Sequence, residues 1–164
     1  MNIRSALPQD AAAISALALS VAHFFTRDPN GQGAEGFLQT LGTEAVASRL
    51  QTASFKTWVG LAQGNDLAGV IVTRDSTHLF HLFVAEPFQR RGYARQLWQH
   101  VLAQNILDTG SDITVNATPF AQGFYERIGF LAAGPRVETR GIAYIPMRRP
   151  GDSPRSVQMH GSGD

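Results

Sequence analysis

The chain has 164 residues, no cysteine and a formal net charge of +1, with 43% hydrophobic and 16% charged residues. These values indicate one globular domain and exclude disulfides, cysteine-ligated zinc and a covalent acyl-cysteine intermediate. The small net charge gives no reason to expect nucleic-acid binding, and no apolar run reaches the ~18 residues that cross a bilayer. Since the N-terminus has no signal-peptide pattern, we expect a cytoplasmic protein.

The first half of the chain alternates strand and helix signals. A short strand is predicted at Ile3, followed by a helix that begins at Pro8. A second helical stretch, residues 37–50, breaks at Gly42, and Thr43 is its predicted cap. Strands are then predicted at 57–62 and 67–73, and the turn residues between them indicate an antiparallel pair.

The segment 78–84 is apolar in both alternating rows, which predicts a central strand covered on both faces. An amphipathic helix follows, but its entry lacks a Ser, Thr, Asp or Asn cap and carries Arg90, Arg91 and Gly92 instead. Free N–H groups at the positive end of a helix, a glycine and two arginines together predict a phosphate-binding loop. A surface loop with solvated arginines is the alternative, since short glycine motifs are weak evidence.

The last third of the chain predicts a strand at 112–116 and a helix that is capped by Thr118 and closed by Gly129. That helix is expected to carry Phe120, Phe124 and Ile128 on one side. A final strand is predicted at 142–147, with Pro146 at an edge or a bulge. The Gly, Ser, Pro and Asp content of residues 150–164 predicts a disordered tail after a single domain of residues 1–149.

Two motifs resemble those of the GNAT acetyltransferases. Residues 89–94, QRRGYA, fit the family's Gln/Arg-x-x-Gly-x-Gly/Ala signature between a strand and a helix. Downstream, VNA at 115–117 and FYERIGF at 124–130 are similar to a second segment of that family. The resemblance implies an α+β (mixed α/β) fold. Its central twisted mixed sheet is largely antiparallel, with a splayed parallel pair, and is flanked by about four helices.

The resemblance also implies an N-acetyltransferase that moves an acetyl group from acetyl-CoA to a primary amine, by direct transfer in a ternary complex and without a metal. The acceptor could be a small molecule, an amino acid, or a peptide N-terminus or lysine. Main-chain N–H groups of Phe83 and Val84 are expected to stabilise the oxyanion. The resemblance leaves open whether the protein is a homodimer, because family members often pair through edge strands. The implied coenzyme-binding residues are Leu82, Phe83, Val84, Gln89, Arg90, Arg91, Gly92, Tyr93, Ala94 and Asn116.

Candidates for proton transfer follow from the same resemblance. Tyr125 stands where the family usually carries the general acid, and a phenol can protonate a thiolate of similar basicity. His78 aligns with a catalytic glutamate of some members, and His81 is predicted on the opposite side of that strand. Either imidazole could accept the amine's proton, as could a water chain. The alternatives are a packed tyrosine and hydrogen-bonded structural histidines, and for Asn116 a turn residue.

The acceptor region, expected at residues 23–41 and the final strands, holds three phenylalanines and the acids Asp28 and Glu35. This composition favours a small or partly apolar amine over a polycation. A non-catalytic acyl-CoA-binding sensor module is the nearest rival, and it ranks lower because Tyr125 is present. A scaffold whose loop merely packs is a third possibility.

Overall fold

A computed structural model describes residues 1–152 of the chain. The helices are α1 (Ala11–Val21), α2 (Glu35–Gln39), α3 (Thr43–Leu50), α4 (Tyr93–Ala103) and α5 (Gln122–Arg127). The strands are β1 (Asn2–Ser5), β2 (Phe55–Leu61), β3 (Leu67–Arg74), β4 (His78–Val84), β5 (Ile113–Ala117), β6 (Leu131–Ala132), β7 (Val137–Thr139) and β8 (Ile142–Arg149).

The eight strands form one mixed sheet in the order β1-β2-β3-β4-β5-β8-β6, and β7 also pairs with β8. Neighbouring strands are antiparallel except β4 and β5, which are parallel. The predicted mixed and largely antiparallel fold is therefore confirmed. Within residues 1–152, no helix has the length and apolar content needed to span a membrane.

Helices cover both faces of the sheet, because the central strands are apolar on both sides. Along β3, Ile71 packs into a core with α4 and α5, whereas Val70 and Val72 pack into a second core with α1 and α3. This alternation is the usual one for a strand, whose successive side chains point to opposite faces. We call the two sides of the sheet the α4 face and the α1 face.

The parallel strands β4 and β5 are paired over a short distance only. Their register joins His78 to Thr114 and Leu79 to Val115, and no further pair follows. The splayed parallel pair is thus confirmed, and the C-terminal halves of the two strands leave a gap in the sheet.

A β-bulge in β4 changes which side chains share a face. Val72 pairs with His81 and Thr73 with Leu79, so Phe80 is an extra residue on β4. The ring of Phe80 lies 6.4 Å from that of His78 and 4.2 Å from that of His81. The expectation that His78 and His81 face opposite sides is therefore wrong, because the bulge reverses the alternation between them.

Two helix boundaries differ in detail from the sequence-based expectation. Gly42, in extended conformation, is the N-cap of α3, and Thr43 is the first helical residue. Thr118 does cap its segment, and its side chain accepts a hydrogen bond from the N–H of Ala121. That segment, Pro119–Ala121, is a separate 3₁₀ turn before α5, and it leaves Phe120 60% exposed.

The C-terminal strand β8 lies inside the sheet, since β5 flanks it on one side and β6 and β7 flank it on the other. Pro146, expected at an edge or a bulge, therefore lies in an interior strand. It has no N–H to donate, and its carbonyl accepts a hydrogen bond from the N–H of Ala133, between β6 and β7. After β8, Gly151 donates to Asp112 and Asp152 to the carbonyl of Thr109. The remainder of the predicted tail, residues 153–164, lies outside the described part.

Candidate active site

A cleft of about 1030 Å³ lies where β4 and β5 part. Its lining combines residues from the cores on both faces of the sheet: Trp98 and Tyr125 belong to the α4 face, and Val21 and Phe83 to the α1 face. Because the cleft reaches both faces, two molecules can approach its centre from opposite sides.

The edge of β4 along this cleft offers main-chain hydrogen-bonding groups. The N–H of Ala85 donates to Ala68 of the strand on the other side. Since alternate residues of an antiparallel strand bond to the same neighbour, Phe83 directs its N–H to β3, whereas Leu82 and Val84 direct theirs toward the cleft. Consistent with this geometry, the carbonyl of Val84 accepts a hydrogen bond of 3.0 Å from Gln89 Nε2. The amides available to a ligand are therefore those of Leu82 and Val84, and the expectation that the N–H of Phe83 stabilises the oxyanion does not fit this geometry.

The loop between β4 and α4 presents a second set of main-chain donors. Arg90 and Gly92 both have left-handed backbone conformations, with φ of 61° and 79°. No side chain caps α4 at Gly92, and within residues 1–152 the N–H groups of 90–94 have no hydrogen-bond partner. Left-handed residues among right-handed ones turn successive N–H groups toward one side and form an anion-binding concavity. The structure thus confirms the prediction from the sequence that no side chain caps α4.

Three arginines add positive charge to the cleft, and no Asp or Glu lies among the described residues that line it. They are Arg90 in the loop, Arg95 in the first turns of α4, and Arg127 at the end of α5. Arg91 does not line the cleft, because its guanidinium lies over the ring of Phe88, 5.9 Å from the centroid. Sequence reasoning missed Arg95 and Arg127. Arg95 could have been found from its position in the first turns of the helix after Gly92.

Tyr125 lines the cleft and is only 5% exposed. Burial raises the pKa of its phenol, so the side chain is a protonated donor at neutral pH. Its ring packs edge-on against Phe124 and Phe130, with centroids 5.2 and 5.5 Å away. Across the gap from β4, Asn116 is exposed and also lines the cleft.

The two candidate histidines differ in position. His81 lines the cleft, and burial lowers its pKa to about 3, with smaller contributions from Arg49 and His78. His78 lies at the paired end of β4 and β5, outside the cleft lining, where its Nδ1 is 2.7 Å from Thr114 Oγ1. Burial and Arg74 lower the pKa of His78 as well. The structure therefore brings His81, but not His78, to the cleft.

The α1-face end of the cleft is lined by aromatic rings. Phe24 and Phe25, which were expected near an acceptor, line this end. Phe80, Phe83 and Phe120, which were not expected near an acceptor, line it as well. The sequence did not indicate that Phe120 lines the cleft, because helical periodicity predicted it on the buried side of α5. Among residues 1–152, no group of three or more His, Asp or Glu side chains is arranged to hold a metal ion.

Comparison with solved structures supports the architecture. A GCN5-related N-acetyltransferase from Rhodopseudomonas palustris superposes with a TM-score of 0.74 at 19% identity, covering 91% of this chain and 94% of the other. The PaiA N-acetyltransferase of Thermoplasma acidophilum, solved with coenzyme A, has a TM-score of 0.71 at 11% identity, covering 91% and 98%.

A spermidine N-acetyltransferase chimera from Vibrio cholerae SpeG and hSSAT has a TM-score of 0.62 at 17% identity, covering 92% and 96%. These likenesses establish the fold. A search of curated proteins found no match. The family model described as acetyltransferase (GNAT) domain matches residues 25–150. The chain therefore belongs to the GNAT acetyltransferase family.

Proposed function

We propose that this protein is an acetyl-CoA-dependent N-acetyltransferase that acts on a primary amine by direct transfer. The observation that carries the proposal is the cleft between β4 and β5, which is cationic with free amides at one end and aromatic at the other. Tyr125, a buried proton donor, lines the same cleft.

The α4-face end fits the donor. The unpartnered amides of 90–94 can hold a diphosphate at the N-terminus of α4, and Arg90, Arg95 and Arg127 add charge that a phosphorylated coenzyme needs. The cleft-facing amides of Leu82 and Val84 can bind an extended amide-containing arm in the manner of an added strand. One of these amides can also donate to the thioester oxygen as negative charge develops there. When bound, acetyl-CoA supplies the activated acetyl group.

The residues present suit a balanced transfer. A bond forms between the amine nitrogen and the carbonyl carbon, and the C–S bond breaks, with its electron pair passing to sulfur. Tyr125 donates the proton that makes the leaving thiolate a thiol, and its phenolate then regains a proton from the solvent, which takes up the proton lost by the nitrogen. The nitrogen loses one proton, and the products are the acetamide and free coenzyme A.

His81 is unsuited to keep that nitrogen proton at neutral pH, because its pKa is about 3. We infer that His81 remains neutral and accepts a hydrogen bond from the amine or from a water molecule. The proton then passes to water, and the amine must reach the site in its neutral form. This requirement predicts a rate that rises with pH toward the pKa of the acceptor amine.

Two measurements test the proposal. Coenzyme A at a hundredfold excess over its Kd should stabilise the protein by about 2.7 kcal/mol, visible as a thermal shift. Thiol release from acetyl-CoA with a panel of amines can be read with a thiol reagent free of protein background, because the chain has no cysteine. A thermal shift without amine-dependent release would favour a non-catalytic acyl-CoA-binding module, and no shift would refute coenzyme binding.

A further inference from the structure

Two rings at the aromatic end of the cleft, those of Phe24 and Phe120, stack on each other, and the exposed Phe120 marks the mouth of the cleft. Phe24 follows α1 and Phe120 follows β5, so the two rings come from segments that are far apart in the sequence. Their centroids are 4.4 Å apart and their planes differ by 19°. Phe120 is nevertheless 60% exposed. An exposed ring with one stacked neighbour leaves its other face free to contact another flat apolar group.

The aromatic lining continues inward from this stack. The ring of His81 lies 4.2 Å from that of Phe80 and 4.7 Å from that of Phe83. Phe25 meets Phe83 edge-on, with centroids 5.9 Å apart. Because His81 is neutral at ordinary pH, this wall carries no charge of its own.

Carboxylates of the surrounding segments are engaged with partners in the chain. Glu86 lies 3.2 Å from His23 Nε2, and Glu138 pairs with two arginines. Glu35 and Asp28 accept hydrogen bonds from the backbone N–H groups of Gly33 and Gln32. A polyamine bound here would need a carboxylate for its second ammonium group, and it would have to share any of these with the partner that the carboxylate already has.

Positive charge behind the aromatic wall opposes a polycation further. The guanidinium groups of Arg49 and Arg74 lie 5.5 and 5.7 Å from the centroid of the Phe80 ring. Arg49 donates to the carbonyl of Thr40, a neutral partner. Arg74 is paired with Asp75 at 3.7 Å, so Arg49 is the cation whose charge disfavours an acceptor with a second positive charge.

We propose that the acceptor is a primary monoamine with an aromatic group, such as an arylalkylamine, and that Phe24 and Phe120 recognise its ring. The proposal rests on the acetyltransferase function proposed above and narrows its acceptor. The ring stacks at the mouth while the single amino group extends past His81 toward the centre of the cleft.

The first test compares kcat/KM for 2-phenylethylamine and spermidine in the full-length protein at saturating acetyl-CoA. We expect 2-phenylethylamine to be preferred at least about tenfold, since a contact of ~1.4 kcal/mol with an aromatic ring corresponds to that factor. Equal rates, or a preference for spermidine, would overturn the proposal.

The second test uses Phe120→Ala, a change at an exposed position that does not threaten folding. It should raise KM for 2-phenylethylamine about tenfold and leave KM for acetyl-CoA unchanged. Leu131→Ala is the matched control, because Leu131 is 62% exposed and lies in β6, outside the cleft. Equal effects of the two variants on the amine KM would overturn the assignment of Phe120.

A gain-of-function variant adds an independent measurement. Phe120→Glu places a free carboxylate at the mouth and should shift the ratio of kcat/KM toward spermidine. Spermidine preference in the unmodified protein, with the coenzyme thermal shift retained, would refute the acceptor assignment alone. Loss of both turnover and the thermal shift would refute the acetyltransferase function, and the acceptor assignment with it.

Discussion

At the α4 face, the cleft is formed largely by main-chain amides and arginines of one continuous segment, from Leu82 to Arg95. At the α1 face, aromatic side chains come from segments that are far apart in sequence, such as Phe24, Phe80 and Phe120. The first end suits a ligand with fixed features, a diphosphate and an extended arm. The second can change its shape with single side-chain substitutions, because no backbone conformation has to be kept.

Because the two ends are built differently, substitutions in each should change a different measured property. Substitutions in the loop before α4 should alter coenzyme binding, those at the aromatic end should alter amine binding, and those at Tyr125 should alter the transfer step itself. A variant that changed all three together would show that the two ends are coupled.

The largest effect is expected for Tyr125→Phe. Removing the hydroxyl removes the proposed proton donor for the leaving thiolate, which should lower kcat by on the order of 100-fold or more. The KM for acetyl-CoA should stay within about twofold, and the ring packing against Phe130 is kept. Steady-state kinetics and a thermal melt measure these quantities, and an unchanged kcat would remove Tyr125 from the mechanism.

Gly92→Ala should weaken coenzyme binding about tenfold. A side chain with φ near 79° costs ~1–2 kcal/mol, and relaxing that strain would move the amides that we propose hold the diphosphate. The expected result is a raised Kd for coenzyme A in a calorimetric titration, with KM for the amine unchanged.

Gly64→Ala is the matched control for this substitution. Gly64 has φ of 83°, and a Cβ at either glycine would meet no atom within 4 Å. Gly64 lies in the turn before β3, away from the cleft lining. Both variants should lose similar stability, but only Gly92→Ala should lose affinity. Equal Kd values would contradict the role of this loop.

His81 should make stability depend on pH. Its pKa of about 3 lies below the ordinary value of 6.5, so between these values the unfolded chain binds a proton that the folded chain does not. Stability that is present above pH 6.5 is therefore lost as the pH falls toward 3, by at most ~1.4 kcal/mol per pH unit. His81→Phe keeps an aromatic ring beside Phe80 and Phe83, and it should reduce this slope in urea titrations at pH 7 and 5. An identical slope in both proteins would show that His81 is not the titrating group.

The smallest effect is expected for His78→Gln. Since His78 lies at the closed end of β4 and bonds Thr114, the substitution should change kcat less than about threefold. A pH–rate profile that lost one ionisation in this variant would instead support His78 as the base.

Local patterns in the sequence were sufficient for most of the fold and for the uncapped entry to α4. The bounds of β4 follow from its two apolar rows, and the uncapped entry to α4 follows from the residues that precede Tyr93. Both features depend on neighbours in the chain, which is why they could be predicted.

Other features depend on contacts between distant segments. The bulge at Phe80 arises from pairing with β3, and no local signal shows that it puts His78 and His81 on one face. Phe120 was assigned to a helix face because Pro119 can begin either an α-helix or a 3₁₀ turn. Its stack with Phe24 requires the tertiary fold to bring the two turns together.

The edge of β4 at Leu82 and Val84 has a consequence for handling the protein. An unpaired strand edge inside a sheet is a template for any extended chain, including that of a misfolded neighbour. Coenzyme A in the storage buffer should therefore slow aggregation. It should also slow hydrogen exchange at the amides of Leu82 and Val84 more than at Phe83, whose N–H is already directed to β3. Exchange mass spectrometry at single-residue resolution would show this alternation, and uniform protection along β4 would contradict it.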